Sequence, residues 1–169
     1  MSRDEGPQEP RRVYAFIADR EPKGEQRKET GRASAVDRAL LDAAGEGDAT
    51  GIDKLLQAGA NVNAKIEGDG SPLIAAAREG ALSVMTLLLD RGANIELVVP
   101  GDENALINAS ASGHLDAVKL LVARGANVNS QVWVEGPEGK GTWRTPLSEA
   151  RRERQSDVAA FLIASGARD

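Results

Sequence analysis

The side chains that most often act as nucleophile, general base or metal ligand are nearly absent from this chain, which holds one histidine, His114, and no cysteine. Two carboxylates, Asp69 and Asp102, follow one another at a step of 33 residues. If that step is a structural repeat, stacking separates them by about one helix diameter, roughly 10 Å, which is wide for an acid/base pair. Bonds to turn amides are the simpler role for both. Neither Gly-x-Ser-x-Gly nor a phosphate-binding loop occurs. We therefore predict a protein that is not an enzyme and uses no metal or cofactor.

A five-residue phrase recurs along the chain and organises it. It reads Gly-Ala-Asn-Val-Asn from Gly59, Gly-Ala-Asn-Ile-Glu from Gly92 and Gly-Ala-Asn-Val-Asn from Gly125, and it fades at Gly166. The first two steps are 33 residues and the third is 41. This self-similarity indicates stacked units, each of which buries its apolar face only against its neighbours.

Helix signals recur at the same step. Ser71, Asn104 and Thr145 each precede an apolar run and can supply an N-cap oxygen, and Ser34 with Asp37 has the pattern of a capping box. The helices that begin after Ser34, Ser71 and Asn104 are each followed by a glycine suited to a left-handed helix end. These glycines are Gly47, Gly80 and Gly113. Each unit is thus predicted to contain two helices, and we call the connecting segments 64–70, 97–103 and 130–144 fingers.

The 33-residue period, the Gly-Ala-Asn phrase and the helix starts Ser71-Pro72-Leu73 and Thr145-Pro146-Leu147 together resemble the ankyrin repeat family. The resemblance covers residues 34–169 and implies an all-α solenoid of four repeats, 34–66, 67–99, 100–140 and 141–169, with a long hairpin inserted before the last helix pair. It also implies that His114 occupies a structural turn position. The usual first-helix histidine of the family is missing in every copy.

The resemblance places a binding surface on the groove that fingers and first helices form in ankyrin arrays. The fingers here are unusually apolar, and exposed apolar patches bordered by charge mark contact sites. We expect Ile66 and Val99, one repeat apart, to lie side by side along an exposed edge. The predicted partner-binding residues are Ile66, Glu67, Asp69, Arg78, Glu79, Leu97, Val98, Val99, Asp102, Glu103, Ser112, Trp133, Trp143, Arg144 and Arg152.

The longest finger carries both tryptophans of the protein, Trp133 and Trp143. Apolar residues flank a Gly/Pro-rich stretch there, which predicts an extended hairpin with a loose tip. Two interpretations stay open at this point. The rings pack against each other and steady the loop, or they contact a partner, since Trp is enriched among binding hot spots.

Residues 1–33 are rich in charge, Pro and Gly, and we expect them to be largely disordered or docked on the repeats through the apolar run Val13–Ala18. The formal net charge of −5 disfavours nucleic acid as a partner. No apolar stretch is long enough to cross a bilayer, and residues 1–12 lack the apolar region of a signal peptide. We expect a soluble, cytoplasmic monomer.

The functional hypothesis is a non-catalytic module that binds another protein or peptide through the finger edge and the groove. One alternative is a binder covered by its own N-terminal segment, Tyr14–Phe16, until a partner displaces it. Another follows from the fingers around Glu67–Ile74 and Val99–Ile107, which resemble ankyrin tails of bacterial membrane metallopeptidases of the β-lactam-sensor type. That resemblance implies an accessory sensor domain, periplasmic or extracellular, without the zinc-binding helix of those enzymes.

Overall fold

The computed structural model describes residues 34–136 and 140–168. Predictions about residues 1–33, including the docking of Tyr14–Phe16, and about the hairpin tip lie outside the described residues. Within the described residues the chain forms eight helices and one two-stranded antiparallel sheet. The elements are α1 Ala35–Glu46, α2 Ala49–Gln57, α3 Pro72–Glu79, α4 Leu82–Asp90, α5 Ala105–Ser112, α6 Leu115–Ala123, β1 Val132–Glu135, β2 Gly141–Arg144, α7 Pro146–Arg152 and α8 Ser156–Ala164.

The first helix of each pair begins at its predicted cap. Ser71, Asn104 and Thr145 accept a hydrogen bond from the backbone N–H three residues later, and Ser34 forms the expected capping box with Asp37. The predicted glycines close α1, α3 and α5 in the left-handed conformation. In the fourth pair Arg154 takes that conformation instead, with φ 60°. The predicted N-caps of the first helices and the predicted glycine ends of α1, α3 and α5 are therefore confirmed.

The core consists of small apolar side chains that recur from pair to pair. First helices pack on first helices and second helices on second helices along the stack. Leucines at one position of the first helices are at most 2% exposed, namely Leu40, Leu73, Leu106 and Leu147. Leucines of the second helices are fully buried at Leu88, Leu121 and Leu162. Each pair thus covers the apolar face of the next, as a solenoid requires.

The third residue of each Gly-Ala-Asn phrase, and Arg168 in the last copy, donates its backbone N–H to a side chain earlier in the chain, and we call this series the Asn ladder. The first rung lies within the first helix pair, and each of the other three joins the end of one pair to the end of the next. The rungs are Asn61 N to Asp37 Oδ1, Asn94 N to Asn63 Oδ1, Asn127 N to Glu96 Oε1 and Arg168 N to Asn129 Oδ1, at 2.7, 2.7, 2.7 and 2.8 Å. The ladder explains why the phrase ends in a side chain that can accept a hydrogen bond.

The turn between the two helices of a pair also bonds to its neighbour. His114 Nε2 lies 3.0 Å from the carbonyl oxygen of Arg78, and Gln155 Nε2 donates to the carbonyl oxygen of Ala111 at 3.3 Å. The side chain fills the space left by a glycine of the preceding pair, since a Cβ at Gly80 would lie 2.8 Å from the His114 ring. His114 therefore occupies a structural turn position, as the family resemblance implied.

Candidate functional site

The third finger is the most distinctive feature of the stack. Strands β1 and β2 pair antiparallel with Val132 opposite Arg144 and Trp133 opposite Trp143. The two indole rings meet edge to face, with centroids 5.4 Å apart and planes at 63°. Such aromatic pairs stabilise a hairpin by about 0.5–1.5 kcal/mol beyond the area they bury. The predicted hairpin is confirmed, and the tryptophans contact each other.

The ring of Trp133 lies against Gly141 of strand β2. A Cβ at this position would come within 2.3 Å of Trp133 Cζ2, so a side chain there would displace the ring. Trp133 is half-buried, whereas Trp143 stays 39% exposed. Of the two rings, Trp143 is the more exposed.

The two faces of strand β2 differ in their contacts with the rest of the stack. Successive side chains of a strand point to opposite faces, so Trp143 and Arg144 project in opposite directions. Arg144 Nη1 is 2.6 Å from Glu103 Oε1, in the second finger, and Arg144 Nε is 3.8 Å from Glu149 Oε1, in α7. The Arg144 face is therefore attached to the stack, and the Trp143 face is turned away from these contacts.

This attachment belongs to a larger group of ionised side chains that we call the charged strip: Arg78, Asp102, Glu103, Arg144, Glu149 and Arg152. Its outer ion pairs are Arg78 Nη2 to Asp102 Oδ1 at 2.9 Å and Arg152 Nη2 to Glu149 Oε2 at 2.6 Å. The three carboxylates are buried, whereas the guanidinium groups are partly exposed. Buried carboxylates of this kind are tolerated only when cations or hydrogen-bond donors face them.

Glu103 is the most unusual member of the strip. It is 7% exposed and has φ 55°, in the left-handed region where the equivalent residue of the preceding finger is Gly70. Burial raises the pKa of the Glu103 carboxyl above its ordinary value of 4.5, the Arg144 guanidinium opposes that rise, and Glu149 and Asp102 add to it. A strained backbone and a costly ionised group coincide at one residue, which is typical of functional positions.

Comparison with known proteins decides the family. The family model for ankyrin repeats matches residues 40–132 in three copies, more than half of the chain. The chain belongs to the ankyrin repeat family. No curated protein matches it. Ankyrin repeats are in general protein–protein interaction modules and typically have no catalytic activity.

The match with the family ends within the third finger, so the fourth helix pair of this ankyrin array lies outside it. The count of four repeats stays a prediction. Nothing found supports the narrower resemblance to metallopeptidase tails. None of the helices in residues 34–136 and 140–168 is long and apolar enough to cross a membrane. In the same ranges, no three His, Asp or Glu side chains are grouped as a metal site requires.

The expectation of an exposed apolar edge is wrong for Ile66 and Val99. Both are buried, at 3% and 1% exposure. Each starts a tight loop closed by an isolated bridge, Ile66 with Gly70 and Val99 with Glu103, and Val99 joins the hydrophobic core. The bridges fold the finger back on the stack, so its first apolar residue serves the core. Leu97 and Val98, which precede the second loop, remain half-exposed.

The expected role of the finger carboxylates is also wrong. Asp69 lies 3.7 Å from Arg38 and Asp102 pairs with Arg78, and within the described residues neither carboxylate bonds a turn amide. Asp102 and Glu103 are buried, so direct contact with a partner would require the charged strip to open. The predicted residues that are exposed are Glu67, Asp69, Glu79, Ser112, Trp143 and Arg152, and those that are half-buried are Arg78, Leu97, Val98, Trp133 and Arg144.

Sequence reasoning missed Glu149 and Asn108. Both occupy the first-helix position that Ala75 holds in the second pair, and both turn toward the strip. Asn108 Oδ1 accepts a 3.4 Å bond from Arg78 Nε, and its Nδ2 donates to the Asn104 carbonyl oxygen at 3.0 Å. The signal was present as a polar residue at the recurring position where the second repeat has Ala75.

Proposed function

We propose that this ankyrin array binds another protein through the Trp143 face of the hairpin and the adjoining groove of fingers and first helices. The observation that carries the proposal is a large aromatic ring that stays 39% exposed on a strand fixed to the stack from its other side. An exposed ring on a rigid support contributes contact area at low entropic cost. The protein acts in this view as a binding module without catalysis.

The other fingers and first helices add residues of mixed character to the proposed surface. Leu97 and Val98 contribute partly exposed apolar area, and Glu67, Glu79 and Arg152 contribute exposed charge. Interfaces combine apolar and charged residues in this way. The buried residues Ile66, Val99, Asp102 and Glu103 support the surface from below in this proposal.

Affinity capture tests the proposal with a matched control. Leu82, in helix α4, has the same 39% exposure as Trp143 and is remote from it in the sequence. A partner that is retained by the parent chain and by Leu82→Ala should be lost, or bound more weakly, by Trp143→Ala. If the ring is a hot spot, its loss should cost about 2 kcal/mol of binding free energy, which raises the Kd roughly 30-fold. Equal affinity of all three proteins for every captured partner would contradict the proposal.

The autoregulatory alternative concerns Tyr14–Phe16, outside the described residues, and stays a prediction. A chain lacking residues 1–33 should bind the captured partner more tightly if that segment covers the groove. Unchanged affinity would reject it. No observation favours the accessory-sensor alternative over the protein-binding module.

A further inference from the structure

We propose that Arg144 is the positioning residue of the hairpin: it bridges a carboxylate of the second finger and a carboxylate of α7 and so fixes the strand that presents Trp143. The inference rests on the proposed function only for what the ring binds. It reassigns Arg144 and Glu103, which were predicted from the sequence to contact the partner, to the support of the contact surface.

The contacts of Arg144 place it between two parts of the stack. Its Nη1 donates to Glu103 Oε1 at 2.6 Å. Its Nε faces Glu149 Oε1 at 3.8 Å, which is an ion-pair distance and too long for a hydrogen bond. Glu149 is held in turn by Arg152 at 2.6 Å. One guanidinium therefore connects the hairpin to the second finger and to the last first helix.

The backbone of the second finger is shaped for this contact. Glu103 takes a left-handed φ that the equivalent finger satisfies with Gly70, and such a conformation disfavours any residue with a Cβ. A side chain at this position nevertheless reaches Arg144, 41 residues later. The first finger, which lacks a hairpin partner, has no carboxylate at the equivalent position. The strained backbone at residue 103 therefore occurs in the finger that contacts the hairpin, and the first finger, which contacts no hairpin, has glycine there.

The carboxylates around Glu103 explain why the residue that bridges to it must be a cation. Among the described residues, the ionised groups other than Arg144 that act on Glu103 are two carboxylates, Glu149 and Asp102. Asp102 already pairs with Arg78 and Glu149 with Arg152. Removing the charge of Arg144 would leave ionised Glu103 buried without a cation, and the group would escape to water or take up a proton.

The test uses the fact that both tryptophans of the protein lie in the hairpin. Two indole rings 5.4 Å apart should give an exciton couplet in circular dichroism that reports hairpin pairing alone. We compare the parent chain with Arg144→Gln, Glu103→Gln, the double variant and the control Arg152→Gln, over a descending pH series that takes Glu103 from its ionised to its protonated form. Arg152→Gln removes a cation from the same Glu149 without touching the hairpin.

The proposal makes a specific set of outcomes necessary. Arg144→Gln should lose most of the couplet at the alkaline end and regain part of it as Glu103 takes up a proton, because the unpaired buried charge is then removed although the bridge is not restored. The double variant, which has neither the bridge nor a buried charge at residue 103, should keep a partial couplet that does not change with pH, whereas Arg152→Gln should keep the full couplet. An intact couplet in Arg144→Gln would overturn the proposal, and so would a loss that is independent of pH and is not rescued by Glu103→Gln.

If Arg144→Gln fails to fold, Arg144→Lys keeps the experiment decisive. Lysine retains the charge but reaches one carboxylate at a time, so the couplet should fall to an intermediate value. A couplet equal to that of the parent would contradict the two-carboxylate bridge. These measurements need no partner, so their failure leaves the Trp143 proposal standing, and failure of the capture experiment leaves the bridge standing.

Discussion

The Asn ladder and the charged strip both join neighbouring repeats, and they do so by opposite rules. In the ladder the same rung joins each repeat to the next, with Asn63, Glu96 or Asn129 as its acceptor, and Asp37 accepts the equivalent bond within the first repeat. In the strip no contact recurs, and a 2.6 Å pair between Arg144 and Glu103 has no counterpart at the first finger. Contacts that follow the period build the array, whereas contacts that break the period occur at one place in it and attach the hairpin.

The largest expected effect breaks the periodic part of this comparison. Leu88→Ala removes a fully buried side chain at a position that leucine also fills at Leu121 and Leu162. We expect a loss of roughly 2–5 kcal/mol in the free energy of unfolding, measured by urea denaturation, because the substitution leaves a cavity in the core. The exposed Leu82→Ala serves as control and should change stability by less than about 0.5 kcal/mol. Similar unfolding curves for both variants would show that the stack is not packed as described.

A smaller effect is expected from the ladder. Asn63 accepts a bond from Asn94 N at 2.7 Å and donates one to the Gly92 carbonyl oxygen at 3.3 Å. Asn63→Ala should lower the free energy of unfolding by about 1–2 kcal/mol, since an exposed hydrogen bond contributes about 0.5–1.5 kcal/mol. Glu96→Ala, which removes the single rung to Asn127 N, should cost less. A larger loss for Glu96→Ala would contradict the assignment of two bonds to Asn63.

The smallest effect sharpens the description of the strip. Burial raises the pKa of Glu103 in the folded protein above 4.5, so the folded state binds this proton more tightly than the unfolded state does. The stability contributed by this group is thus present at low pH and is lost as pH rises through the folded pKa. The parent should lose more stability than Glu103→Gln as pH rises from below 4.5 through the folded pKa of Glu103. Urea unfolding at several pH values measures the difference; a difference that shrinks or stays constant would mean that burial does not dominate at Glu103.

Local sequence signals were sufficient for the regular part of the fold. Caps such as Ser71 and Thr145 act within three residues, and a hairpin is indicated by apolar runs on either side of a turn. The burial of Val99 and the partner of Glu103 were not predictable in this way. They depend on a bridge between residues 99 and 103 and on a left-handed backbone at residue 103, which the alternation of apolar and polar residues does not encode.

The same limit explains the errors at the candidate site. Glu149 and Arg144 come together from elements separated by a turn, and Glu103 reaches them across a whole helix pair. A period in the sequence predicts which residues are equivalent, but it does not predict which non-equivalent side chains meet. Residues that depart from the period, such as Glu103 in place of Gly70, were the available clue.

The acceptor in a rung of the Asn ladder can be an asparagine or the longer glutamate, so a rung does not depend on one particular side chain. Whole repeats can therefore be added to the array or removed from it. A second copy of residues 67–99 placed after Val99 would carry its own acceptor, Glu96, and its own receiving amide, Asn94. The hairpin, Glu103 and Glu149 all follow that junction and would travel together. The number of repeats that form the groove can thus be changed without changing the ion pairs that hold the hairpin, and those ion pairs can be changed without altering the number of repeats.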